Sequence, residues 1–70
     1  MFTIMDALRD MLDYNLILIA KYADDLPLKS GFYMQVFGAV SMLTLTSYEE
    51  EARALWEEYE PRYKAAVWGA

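Results

Sequence analysis

The chain has 70 residues, 57% of them hydrophobic and 16% aromatic, with no Cys, no His and a formal net charge of −5. One small domain is all this length allows, and a chain of this size buries only about 60% of its unfolded surface, so its apolar content exceeds what one core can hide. The missing Cys and His exclude disulfides, thiolate metal sites and the familiar acyl-transfer triads, and the acidic balance argues against direct binding of nucleic-acid phosphates.

The first predicted element is a helix from about Ile4 to Ala23. Thr3 is placed to cap it, with Asp6 three residues on as a shorter relative of the capping-box glutamate. Ile4, Leu8, Met11, Leu12, Leu18, Ile19 and Tyr22 recur near a 3.6-residue period, with Asp6, Asp10 and Asp13 opposite. The second half, Leu16-Ile17-Leu18-Ile19-Ala20, is apolar on every side, so a second surface must cover it. Ile17 falls with Asp10, Asp13 and Lys21, away from the core stripe. Asn15 has two readings: a buried polar group fixing the register of an oligomer, or an edge residue in water or bonded to a local carbonyl.

Asp24-Asp25-Leu26-Pro27 ends that helix, because Pro27 disfavours helical geometry at Leu26. The paired aspartates read as a solvated turn and an entry to the next helix, since the alternating oxygen ligands of a calcium loop are absent. The second element spans about Ser30 to Thr46. It reads as a helix, apolar nearly all round, with Gly31, Gln35, Gly38 and Ser41 forming a small or polar strip that admits a neighbouring helix closely. The alternative is a hairpin of Phe32–Phe37 and Val40–Thr46 about Gly38-Ala39, because periodicity alone does not settle a continuous apolar run. Residues 31–48 carry no charge, which raises a membrane span as an alternative to a buried helix.

The third element is a helix opened by a capping box of Ser47 and Glu50. Its apolar stripe comprises Tyr48, Ala52, Leu55, Trp56, Tyr59, Tyr63, Ala66 and Val67, and passes Pro61 in phase, so a kinked continuation is expected there. Glu49–Arg53, Arg53–Glu57, Glu58–Arg62 and Glu60–Lys64 are expected as four-apart ion pairs, and Gly69 as the stop. Trp56 reads as core, Trp68 as docked on its own core or on a partner, and Met11, Met34 and Met42 as core gap-fillers.

The fold class expected is therefore all-α: one three-helix domain, the third helix kinked at Pro61, self-associating. The expected interface comprises Leu16, Ile17, Ala20, Phe32, Phe37 and Trp68. No Gly-rich phosphate loop, nucleophile–base pair or Glu-x-x-His motif is present, so no enzymatic activity, cofactor or metal is expected. Function is expected to be protein–protein interaction: a homodimer or small oligomer that binds or inhibits another protein, as phage and mobile-element products often do. One alternative is an acidic nucleic-acid mimic that blocks a nuclease or CRISPR complex, and another is a membrane-associated protein using residues 31–48. The first residues lack the basic and apolar regions of a signal peptide, so a cytoplasmic location is expected.

Overall fold

The computed structural model describes residues 1–69 and contains three helices: α1 (Ile4–Lys21), α2 (Leu26–Leu43) and α3 (Glu49–Trp68). Each packs on both others, and the accessible surface is 4678 Å². That is close to the ~4,500 Å² expected of a folded chain of this mass.

α1 starts where its cap dictates. The Thr3 hydroxyl accepts the Asp6 N–H at 3.1 Å, and Asp6 Oδ2 accepts the Thr3 N–H at 2.9 Å, which closes a capping box. Its end lies two residues before Ala23, because the Asp25 N–H turns back onto the Tyr22 carbonyl at 3.0 Å. Asp25 thereby becomes the cap of α2, with Oδ1 accepting the Leu28 N–H at 3.0 Å. This advances α2 from Ser30 to Leu26. Leu26 is helical despite preceding Pro27, since a proline in the first turn lacks an N–H that has no helical partner anyway.

The second element is a helix, not a hairpin, and no strand occurs among the described residues. It stops at Leu43, where the Thr44 and Thr46 hydroxyls donate to the carbonyls of Ser41 and Leu43, both at 2.6 Å. The charge-free stretch 31–48 is thus divided between α2 and a turn, and among the described residues no helix is long and apolar enough to cross a membrane.

The capping box of Ser47 and Glu50 does not form. Thr46 takes over the turn: its hydroxyl accepts the Tyr48 N–H at 3.1 Å and its carbonyl the Glu49 N–H at 3.2 Å. Tyr48 becomes the N-cap without a side-chain cap bond, and Ser47 is left in the turn. Local hydroxyl-to-backbone bonding of this kind competes with capping. α3 then runs through Pro61 as one helix and stops at Gly69, the single residue at positive φ (69°) among those described.

The core is built from Leu8, Leu12 and Ile19 of α1, Val36 and Val40 of α2, and Ala52, Leu55, Trp56, Tyr59, Tyr63 and Val67 of α3. Leu16, Phe32 and Met11 pack half-buried against it. Asn15 is buried rather than at the edge of the stripe, and its Nδ2 donates to the local Met11 carbonyl at 2.8 Å, so each reading holds in part. Met34 and Met42 are not core gap-fillers: they are 62% and 69% exposed, because α2 turns only the side carrying Val36 and Val40 inward.

Candidate interaction surfaces

Three surfaces could carry function. The first is the polar seam between α1 and α3. Tyr59 donates its hydroxyl proton to Asp13 Oδ1 and accepts from Arg9 at 3.4 Å, while Arg9 also pairs with Glu58 at 3.2 Å. The Arg62 guanidinium lies 4.7 Å from the Tyr59 ring centroid. These tertiary partners replace the expected Glu58–Arg62 pair. Arg53 pairs with Glu49 at 2.7 Å rather than with Glu57, and Lys64 reaches Glu60 at 4.0 Å. Deeper in the seam, the Tyr63 hydroxyl donates to the Leu12 carbonyl.

Burial raises the pKa of both tyrosines, assisted by the nearby Asp13. Glu58 raises that of Arg9. A neutral phenol held by a carboxylate and a carbonyl is a structural element, not a poised acid or base. Beside the seam, an open cleft of about 480 Å³ is lined by Met5, Asp6, Arg9, Glu51, Ala54, Leu55 and Glu58. Asp6 is occupied by its cap, and Arg9 and Glu58 by each other. Among the described residues, no group of three carboxylates stands close enough to hold a metal ion.

The second surface is an aromatic ledge between α2 and α3. Tyr33 lies 6.2 Å from Phe37, 5.9 Å from Trp56 and 5.0 Å from Trp68, ring centre to ring centre. The Trp68 contact is edge-to-face at 70°. Trp68 therefore docks on its own chain, yet keeps 53% of its surface exposed, and Phe37 keeps 41%. Trp56 closes the floor of the ledge as a core residue.

The third is the outer face of α2, where Gly31, Met34, Gly38 and Met42, followed by Leu45 in the turn, all lie exposed. Beyond the adjoining residues and backbone of α2 itself, no atom comes within 4 Å of the position a Cβ would take at Gly31 or Gly38. The close neighbour expected along this strip is thus not supplied by α1 or α3.

The six residues expected at an interface are distributed among these surfaces. Phe37 and Trp68 meet through Tyr33 on the ledge. Leu16 and Phe32 are half-buried, and the Phe32 ring centre lies 6.2 Å from that of Tyr22. Ile17 and Ala20 are exposed, Ile17 at 64%, on the side of α1 turned away from both other helices. Sequence reading missed Met34, Met42 and Leu45, whose signal was their regular spacing about Gly38. It also missed the Arg9–Tyr59–Asp13 contacts, which have no signal in local spacing. Comparison with protein-family models, with curated proteins and with solved structures finds no match to this chain.

Proposed function

We propose that this chain is a protein-interaction module that self-associates and binds, or inhibits, another protein. One observation carries the reading: the exposed side of α2 and the adjoining ledge form an apolar surface without a charge from Gly31 to Tyr48, in a chain of net charge −5. Exposed apolar surface concentrated in this way marks interaction sites, and Trp, Tyr and Phe dominate interface energetics. On this reading Phe37 and Trp68 offer rigid anchors to the second protein, in the cytoplasm. The Tyr59 contacts serve to fix α1 against α3.

Two measurements test it. Sedimentation equilibrium of the unmodified protein at ~100 μM, far above a micromolar dissociation constant, should exceed the 8.1 kDa chain mass. Affinity purification from the native host should recover a protein that the Phe37→Ala/Trp68→Ala variant loses. An unassociated 8.1 kDa species together with identical recovery by both proteins would overturn the proposal.

A second reading, the nucleic-acid mimic, has one observation in its favour: Glu50, Glu51 and Glu57 form no ion pair among the described residues. Replacing Glu50, Glu57 and Glu58 by Gln separates the two. Partner binding within a few-fold supports the apolar module, and a hundreds-fold loss that tracks ionic strength supports the mimic.

A further inference from the structure

The outer face of α2 has an internal symmetry. Gly31, Met34, Gly38, Met42 and Leu45 fall at −7, −4, 0, +4 and +7 about Gly38. Reversing the helix leaves Met34, Gly38 and Met42 as a set unchanged, and Leu45 stands in the turn just past the helix end at Leu43. A two-fold axis through Gly38 therefore brings Met34 of one copy onto Met42 of the other, and Gly31 toward the turn that carries Leu45. Gln35 and Ser41, both able to hydrogen-bond, exchange in the same way. Large side chains then face glycines or each other's flexible ends, and the glycines let the helix backbones approach.

We propose that this face is the self-association interface, occupied by α2 of a second copy of this chain running antiparallel about Gly38. The proposal deepens the self-association reading above and rests on it. Two further observations select a second copy as the occupant. The first is charge: the carboxylates lie on α1, on α3 and in the turn before α2, so packing α2 on α2 keeps the acidic faces of two chains apart. An anionic lipid surface is disfavoured by the same net charge, since Lys29 is the one cation of α2. The second is exposure. Met34 (62% exposed), Met42 (69%) and Leu45 (83%) stand open together, and a two-fold contact between copies covers each of them twice over, once in each copy.

The test uses the full chain at ~100 μM in sedimentation equilibrium, where the unmodified protein should show twice 8.1 kDa. Met34→Lys and Met42→Glu should each give the single-chain mass with an unchanged helical spectrum. The double variant should regain the dimer, because each new ammonium meets a new carboxylate across the axis. Gly38→Cys provides a readout independent of these variants, in a chain without other thiols. Its Cβ meets nothing within its own chain beyond the adjoining residues and backbone of α2. Mild oxidation should crosslink it, since a disulfide forms where Cα atoms approach to ~4.4–6.8 Å, and Ala54→Cys on α3 should lag far behind.

A dimer that persists in Met34→Lys overturns this face while leaving self-association standing. An unmodified protein at 8.1 kDa overturns both. In that case binding to phosphatidylcholine vesicles that Met34→Lys abolishes would assign the face to lipid, and a protein recovered by the unmodified chain and lost by Met34→Lys would assign it to a different protein. Failure of the double variant to recover, or of Gly38→Cys to crosslink ahead of Ala54→Cys, refutes the antiparallel register.

Discussion

The seam between α1 and α3 and the outer face of α2 show opposite ways of handling side chains. At the seam every large group has a partner within the chain: Tyr63 and Leu12 are fully buried, and the phenols of Tyr59 and Tyr63 are hydrogen-bonded to α1. On α2 the outward side chains are as apolar as those of the core, but Met34, Met42 and Leu45 touch water. Buried side chains and tertiary hydrogen bonds are concentrated at the first region and exposed apolar surface at the second. The difference shows that hydrophobicity alone does not mark the core; what marks it here is an apolar stripe backed by a charged one. α3 has such a stripe and α2 does not.

The sharpest way to break this contrast is at Tyr63. Truncation to Ala should cost about 3–5 kcal/mol, the range for removing a buried aromatic ring. A core of this size usually supplies only ~3–5 kcal/mol in all, so the variant should be largely unfolded by circular dichroism at 25 °C. Tyr63→Phe keeps the ring and loses one hydrogen bond, which should cost about 0.5–1.5 kcal/mol. A folded Tyr63→Ala protein would mean that the seam does not dominate stability.

Pro61 lies on the exposed side of α3 and denies the Glu57 carbonyl its helical donor. Pro61→Ala should therefore stabilise the chain, by at most about 3 kcal/mol. Each kcal/mol corresponds to about 4–8 °C in melting temperature for a domain of this size. A fall in melting temperature would instead show that a bend at Pro61 is needed for α3 to follow the bundle.

Much of this fold was legible in the sequence, for identifiable reasons. α1 was legible from Thr3 and Asp6, which bond locally, and the body of α3 from its stripe and charges. α2 was ambiguous because an apolar run without charge carries no phase, and Pro27 looked like a terminator when it was a first-turn residue. Ser47 was misread because Thr46, one residue earlier, had a competing hydroxyl. Glu58 was assigned to Arg62 because the sequence does not show α1 carrying Arg9 to the same place. Ile17 and Phe37, expected at an interface, are exposed, and Trp68, expected on its own core or on a partner, packs on Tyr33; the strip about Gly38 was read as admitting a neighbouring helix, and neither α1 nor α3 is that helix.

A smaller effect follows from the seam phenols. Folding raises the pKa of Tyr59 and of Tyr63 above the unfolded value of about 10 through burial and the neighbouring Asp13. The folded state thus holds its phenolic protons more tightly. The resulting stability is fully present below pH ~10 and is lost as pH rises above it toward the folded-state values. Thermal melts should show no pH dependence from these groups between pH 7 and ~9 and a decline beyond ~10, reduced in Tyr59→Phe. An alkaline decline of the same size in Tyr59→Phe and Tyr63→Phe would place its origin elsewhere.

The smallest effect is expected at Ile17, and it separates the two exposed apolar sites. Ile17 is 64% exposed, about as much as Met34, so burial alone does not distinguish them. Their surroundings do. Ile17 has Asp13 and Lys21 four residues away on either side and Asp10 two turns back, so a partner covering it would also have to cover charges. Met34 has Gly31 and Gly38 beside it and no charge within the face. Ile17→Asp places a carboxylate four residues before Lys21 and four after Asp13, one attraction against one repulsion of similar size. Its net effect on stability should stay within about 0.5 kcal/mol, as for other exposed positions. Its mass in sedimentation equilibrium should match that of the unmodified protein, whereas Met34→Lys should halve it. Dissociation by Ile17→Asp with no change in Met34→Lys would move the interface to α1 and leave the strip about Gly38 facing water.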